Sequence, residues 1–168
     1  MKLAVDAYYA ENKAKVVGVL FENFSDEKPL EIISKIVDGV APYESGSFYK
    51  RELPCIVLLL QDLDVRDISL IVIDGFIYLD GDGRCGLGGH LYEHLERRVQ
   101  IVGVAKLPFK GSCKLVREIC RGRSKRPLFV SAVGTDLDEA ARLVKGMSGE
   151  FRLPSLLKIL DYETKTKI

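Results

Sequence analysis

The chain predicts an α/β domain, a mixed sheet that is antiparallel in its first part and parallel in its second, flanked by helices. Three observations carry this. The first third runs as short β-rich apolar segments divided by polar turns, in the manner of a meander. From Ser69 onward, apolar strands alternate with helical patterns, which is the rhythm of βα units. The length of 168 residues, with 47% hydrophobic and 29% charged, fits one domain with a real core. We expect a single domain over residues 1–168, with no internal repeat, no low-complexity tract and no dividing linker.

Taken in order, Lys2 to Tyr8 is a first strand and Lys15 to Glu22 a second, with Glu11, Asn12 and Lys13 as the turn between them. Leu30 to Val37 follows the loop SDEKP; its β-branched residues favour strand, and helix is the rival. The stretch VAPYESGSFYKRELP is punctuated by Pro, Ser and Gly and reads as a loop. Arg51 to Asp62 is apolar on most faces, a buried helix with Pro54 in its first turn. Ser69 to Asp74 is an unbroken apolar run, as expected of a central strand covered on both faces. A glycine-rich loop then leads to a helix over Leu87 to Arg97 and a strand over Gln100 to Ala105. Lys106 to Arg126 is basic and loop-like, and Pro127 to Ala132 is another strand. Asp136 to Met147 is an amphipathic helix with Asp136 as N-cap, and a short helix, Leu156 to Leu160, precedes the tail.

Composition narrows the classes of function. A net charge of +1 argues against a protein that coats nucleic acid indiscriminately, while leaving room for a local basic patch. No uninterrupted apolar stretch reaches the ~18 residues of a membrane span. The N-terminus, MKLAVDAYYAENK, has early acidic residues and no apolar h-region, so we expect no signal peptide. Cys55, Cys85, Cys113 and Cys120 form no CxxC pair, and reduced thiols in a cytoplasmic protein are expected.

Asp6, Glu52, Asp74 and Lys106 stand out chemically, in the contexts LAVDAYY, PYESGSFYKRE, IVIDGF and VGVAK. Asp6 and Asp74 lie inside or at the end of apolar β-type runs, where a carboxylate faces a desolvation cost unless it holds a cation or a proton. Three acids gathered at one sheet edge suit Mg²⁺, a hard ion that prefers oxygen ligands. Without an ion they repel one another and raise their own pKa values. A lysine beside them stabilises developing negative charge. The constellation points to metal-dependent phosphodiester hydrolysis.

The same residues resemble a known family, endonuclease V, from Leu3 to about Asp161. PYESGSFYKRE is similar to the family's PY-x-x-G-x-x-x-x-R-E loop, IDGF to its VDG segment, VGVAK to the same run, and GEFRLPSLLKILD to its GYRLPEPTR segment. The resemblance implies a ribonuclease-H-like fold and cleavage of DNA or RNA near inosine, at the second phosphodiester on its 3′ side, leaving a 5′-phosphate. It implies Asp6, Glu52 and Asp74 as ligands of Mg²⁺, with Mn²⁺ as a substitute, and Lys106 at the scissile phosphate. Pro42 and Tyr43 would wedge the strands apart as the base turns out, with Gly46 in the same nucleic-acid-binding loop. A monomer is implied as well. Two departures accompany the match: where the family carries histidines, Asp80 or Asp82 stands here in GFIYLDGDGR, and Val133 or Gly134 in AVGTD. A homolog that binds modified or structured nucleic acid without cutting it efficiently is the alternative.

Three further patterns have plainer readings. GDGRCG satisfies G-x-G-x-x-G but does not close the first strand of a βαβ unit, so it reads as a turn near the site. His90 and His94 in HLYEH lack the HExxH order and read as one face of a half-buried helix. In the basic stretch, Lys110, Arg121 and Arg123 are candidate phosphate contacts, and a solvated loop is the equal alternative for RGRSKR.

Overall fold

The computed structural model describes residues 1–10, 12–40, 48–110 and 113–166. Its strands and helices run β1 (Lys2–Ala10), β2 (Lys13–Phe21), β3 (Glu31–Asp38), α1 (Tyr49–Leu60), β4 (Leu70–Ile73), α2 (Leu87–His94), β5 (Gln100–Ala105), β6 (Arg117–Ile119), β7 (Leu128–Val133), α3 (Leu137–Lys145) and α4 (Ser155–Lys165). One seven-stranded sheet holds all the strands, in the order β3-β2-β1-β4-β5-β7-β6. The first three strands form the expected meander, so the strand reading of β3 holds over its helical rival. β1, β4 and β5 are parallel neighbours, and β7 and β6 return antiparallel. Among the described residues no helix is long and apolar enough to cross a membrane.

The unbroken apolar runs are explained by helices on both faces. Ala4, Leu70, Val72, Val102 and Val104 point into a core shared with Ala140, Val144, Leu156 and Leu160 of α3 and α4. Their neighbours Leu3, Val5, Ile71, Ile73 and Ile101 point the other way, against Ile56 and Leu59 of α1 and Leu91 of α2. This two-residue alternation assigns every side chain at a strand end to one face or the other.

Most strand ends shift by a residue or two, with Lys13 in β2 rather than in the turn, and the larger differences each have a physical reason. α1 begins at Tyr49, so Pro54 falls in its second turn and Glu52 in its first. α2 stops at His94, ahead of Glu96 and Arg97, whose φ of 53° and 61° leave the helical region. The stretch 106–126 is not loop throughout: it holds a 3₁₀ turn at Cys113–Leu115 and the edge strand β6. An edge strand of three residues with charged Arg117 and Glu118 leaves little apolar signal, and charge on an edge discourages pairing with another chain. α4 runs beyond Leu160 to Lys165 because Thr164 continues its buried face. Its C-terminal end is fixed by Lys15 of β2, a buried lysine whose Nζ donates to the Glu163 and Thr166 carbonyls, each at 2.8 Å. By contrast, Asp136 caps α3 as read, its side chain accepting from the Glu139 amide at 2.8 Å. Cys55, Cys85 and Cys120 are free thiols.

Candidate active site

The β1–β4 ladder places the first two acids side by side. Its last register pair is Val5 with Ile73, so Asp6 and Asp74 are the next residue on each strand, at the carboxyl end of β4. Lys106 follows the last residue of β5, the neighbouring strand. Here the strand order turns, since β1 connects to β2 on one side while β4 and β5 build on the other. In open α/β sheets such a point is where ligands bind. Alternation puts Asp6 with Ala4, Asp74 with Val72 and Lys106 with Val104, all on the α3–α4 face.

A fourth charged residue joins them from α4, one that sequence reasoning left without a role. Lys106 Nζ donates to Asp74 Oδ2 at 2.7 Å and to Asp161 Oδ1 at 3.0 Å, and Lys165 Nζ reaches Asp161 Oδ2 at 2.7 Å. A narrow cleft lined by Asp6, Asp74, Lys106 and Asp161 is closed from behind by Leu153, Leu157 and Leu160. Two signals in the sequence mark Asp161: it directly follows Leu160 on the apolar stripe of α4, and it stands i,i+4 to Lys165.

Glu52 comes from the opposite face, in the first turn of α1, and only 6% of its surface is exposed. With Asp74 it lines a separate cavity of about 310 Å³, walled by Phe48, Tyr49, Phe76, Leu79 and Leu87. Asp74 thus faces both spaces. Entry from opposite faces explains why, among the described residues, no three carboxylate, histidine or cysteine side chains converge on one ion position.

The electrostatics fit a cation nevertheless. Burial, then the charge of Asp74, pushes the Asp6 carboxyl up to about 6, against the pull of the Ala7 amide and Lys106. Burial, then the charges of Asp6 and Asp74, pushes Glu52 up to about 9, and Arg51 offsets this only in part. Lys106 behaves oppositely: burial lowers its pKa, but Asp74 and Asp161 outweigh that and keep it a firm cation. Asp161 is likewise pushed up by burial and brought below its ordinary value by Lys165 and Lys106. The site therefore holds a half-buried Asp6 and a buried Glu52 with too little positive charge around them, and its donors are oxygens, the ligand type of Mg²⁺.

A small set of contacts fixes the turn that carries Asp74. Ser131 Oγ of β7, itself buried, accepts from the Ile77 amide at 3.1 Å. Gly103 of β5 has no side chain, and a Cβ there would lie 2.4 Å from the Gly75 carbonyl oxygen and 2.6 Å from Ser131 Oγ. Gly103→Ala is expected to lower stability by about 1–3 kcal/mol and to lower any activity of the site further than that loss of folded protein explains. Urea unfolding run beside a turnover assay separates the two effects.

The remaining sequence candidates are distributed unevenly. Pro42, Tyr43 and Gly46 lie outside the described residues. Lys110 and Arg123 are exposed, Lys110 in the loop after β5 and Arg123 in the turn after β6. Arg121 is a correction. It is buried, and its guanidinium donates to the carbonyls of Lys145, Met147, Gly149 and Phe151, so it is shaped into the fold and turned away from any phosphate. A sequence of alternating basic residues gives no sign of which one is buried. GDGRCG closes a tight turn, with Asp80 Oδ1 accepting from the Asp82 and Arg84 amides, so Asp80 serves the turn. His90 stacks on Tyr49 of the larger cavity's wall, ring centroids 3.7 Å apart, whereas His94 is exposed.

No protein-family model and no curated protein matches the chain. Solved structures do. The catalytic domain of human endonuclease V is 24% identical with a TM-score of 0.77, over 97% of this chain and 80% of that one. Endonuclease V of Ciona intestinalis, in complex with a 23mer DNA containing an inosine followed by a ribo-adenosine, is 21% identical with a TM-score of 0.76, over 97% and 83%. A protein of unknown function from Archaeoglobus fulgidus is 14% identical with a TM-score of 0.61, over 97% and 95%. This chain therefore shares the fold of the endonuclease V structures, with Asp74 and Lys106 directly after β4 and β5 and Asp6 beside them on β1.

Proposed function

We propose that this chain is a Mg²⁺-dependent endonuclease that hydrolyses a phosphodiester on the 3′ side of a deaminated base, inosine in DNA or RNA. The observation that carries the reading is the adjacency of Asp6 and Asp74 at the end of one parallel ladder, with Lys106 held against them. It is supported by a shared fold with an enzyme captured on inosine-containing DNA. Asp6 and Asp74 would hold the ion, and Glu52 would add its charge from the other face. An ion held there would supply Lewis-acid polarisation of the phosphate and an offset to the negative charge of an in-line displacement.

The chain's own residues supply the rest. Lys106, kept protonated by two carboxylates, presents a fixed positive charge to the phosphate oxygens. Asp161 and Lys165 hold that ammonium in place and act as positioning residues. Leu153, Leu157 and Leu160 exclude water from behind the cleft, which strengthens every charge interaction within it. The wedge and the exit of the base are assigned to Pro42, Tyr43 and Gly46 on the family resemblance alone.

The second reading, a module that binds without cutting, has one observation in its favour: Lys106 already satisfies Asp74 and Asp161. A nicking assay on DNA and RNA oligonucleotides carrying one inosine, with and without Mg²⁺, separates the two. A single cut 3′ of inosine, absent without Mg²⁺ and absent in Asp74→Ala, is expected. Binding without a cut overturns the nuclease in favour of the module.

A further inference from the structure

A trough leaves the carboxylate cleft and runs across the end of the sheet to an exposed phenylalanine. Lys106, Leu153 and Asp161 line both the cleft and a second hollow, whose other walls are Leu128, Arg152 and Lys165. Arg152 in turn lines a third hollow of about 600 Å³ with Arg123, Glu150 and Phe151. The shared walls make one continuous path.

Phe151 is built into the path rather than left over from the core. It is 65% exposed, and Lys158 Nζ of α4 lies 4.7 Å from its ring centroid. The backbone beneath it is rigid, because the buried Arg121 guanidinium takes the Phe151 carbonyl at 3.0 Å and the Gly149 carbonyl at 3.1 Å. Arg152 ties the same loop to the site: its Nη2 donates to the Lys106 carbonyl at 2.5 Å and the Pro127 carbonyl at 2.7 Å. An exposed ring on a tethered backbone, with a cation over one face, can stack a base on its other face, and single-stranded nucleic acid is held by such rings along a positively charged groove. A duplex keeps its bases stacked on one another and has no use for the ring. Glu150 is the one acid of the outer hollow, set against Arg123 and Arg152.

We propose that this trough is a binding subsite for the single-stranded segment flanking the cleaved phosphodiester, with one base stacked on Phe151 and the backbone passing Arg123 and Lys165. The inference rests on the nuclease reading above and adds to it a distal contact outside the reacting residues. It is tested by fluorescence anisotropy with two labelled single-stranded inosine DNAs, one extending about four nucleotides either side of inosine and one about twelve, in Ca²⁺ without Mg²⁺. Wild type is expected to bind the longer DNA more tightly. Phe151→Ala is expected to weaken the longer DNA by about tenfold and the shorter one not at all, with Phe151→Tyr restoring the difference. Arg123→Ala should lower the salt dependence for the longer DNA alone, by about 0.7 in log–log slope. Unchanged binding of the longer DNA by Phe151→Ala, or an equal loss on both lengths, overturns the subsite while wild-type binding leaves the nuclease reading standing. Wild type that binds neither DNA overturns both.

Discussion

Asp6→Asn is expected to abolish Mg²⁺-dependent nicking, by at least about 100-fold, while making the metal-free protein more stable. The two signs come from one cause. Asp6 is a carboxylate that burial and the neighbouring charge of Asp74 work against, and Glu52 suffers in turn from Asp6. An amide of the same shape removes that repulsion and can still accept from the Ala7 amide, as Asp6 Oδ1 does now at 2.8 Å. What it cannot do is contribute charge to a bound cation. A structural aspartate behaves in the opposite way, because its loss lowers stability and leaves activity in proportion to folded protein. Melting temperature in EDTA and nicking rate in Mg²⁺, measured on the same preparation, give the two signs directly. An Asp6→Asn protein that melts earlier than wild type, or that cuts as fast, removes Asp6 from the site.

Much of this arrangement was legible in the sequence, and the parts that were not share a reason. β5 was readable to the residue because Gln100 to Ala105 is apolar and β-branched, and Asp136 because an N-cap precedes a strongly amphipathic turn. β6 escaped because three residues at a sheet edge, two of them charged, carry no periodicity. Asp161 escaped because the helix was closed too early at Leu160, and the residue that extends its buried face, Thr164, is polar. Arg121 and Arg123 are two positions apart and look alike, yet one is turned inward onto backbone carbonyls and the other outward into the trough. That Asp6, Asp74 and Lys106 share a face was not legible, because unbroken apolar runs show no alternation and the register between strands is needed to align them. Glu52 needed the third dimension, since nothing in a helix sequence says from which side it meets a sheet.

In the absence of divalent metal the protein is expected to lose stability steadily as pH rises, and Mg²⁺ is expected to restore it only at the upper end. Asp6 moves from the ordinary 3.8 to about 6 on folding, and Glu52 from 4.5 to about 9. A carboxyl group whose pKa is higher when folded binds more protons in the folded state than in the unfolded chain, so stability falls with pH across that interval. The window opens near pH 4, where the unfolded groups begin to ionise, passes about 6 for Asp6 and ends near 9 for Glu52. Because the two carboxyls interact, the protons leave in steps that belong to the pair. For a domain of this size each kcal/mol lost this way moves the melting temperature by about 2–4 °C. Mg²⁺ competes with those protons, so its stabilisation should be small at pH 5.5 and large at pH 8. Melting curves at both pH values, with Mg²⁺ and with EDTA, test this. A metal-free melting temperature that stays flat from pH 5 to 9 would mean that burial and neighbouring charge do not raise the Asp6 and Glu52 carboxyls. A Mg²⁺ shift of equal size at both pH values would place the ion elsewhere on the protein. Asp6→Asn gives the internal control, since removing one member of the pair should flatten the pH dependence and shrink the Mg²⁺ effect together.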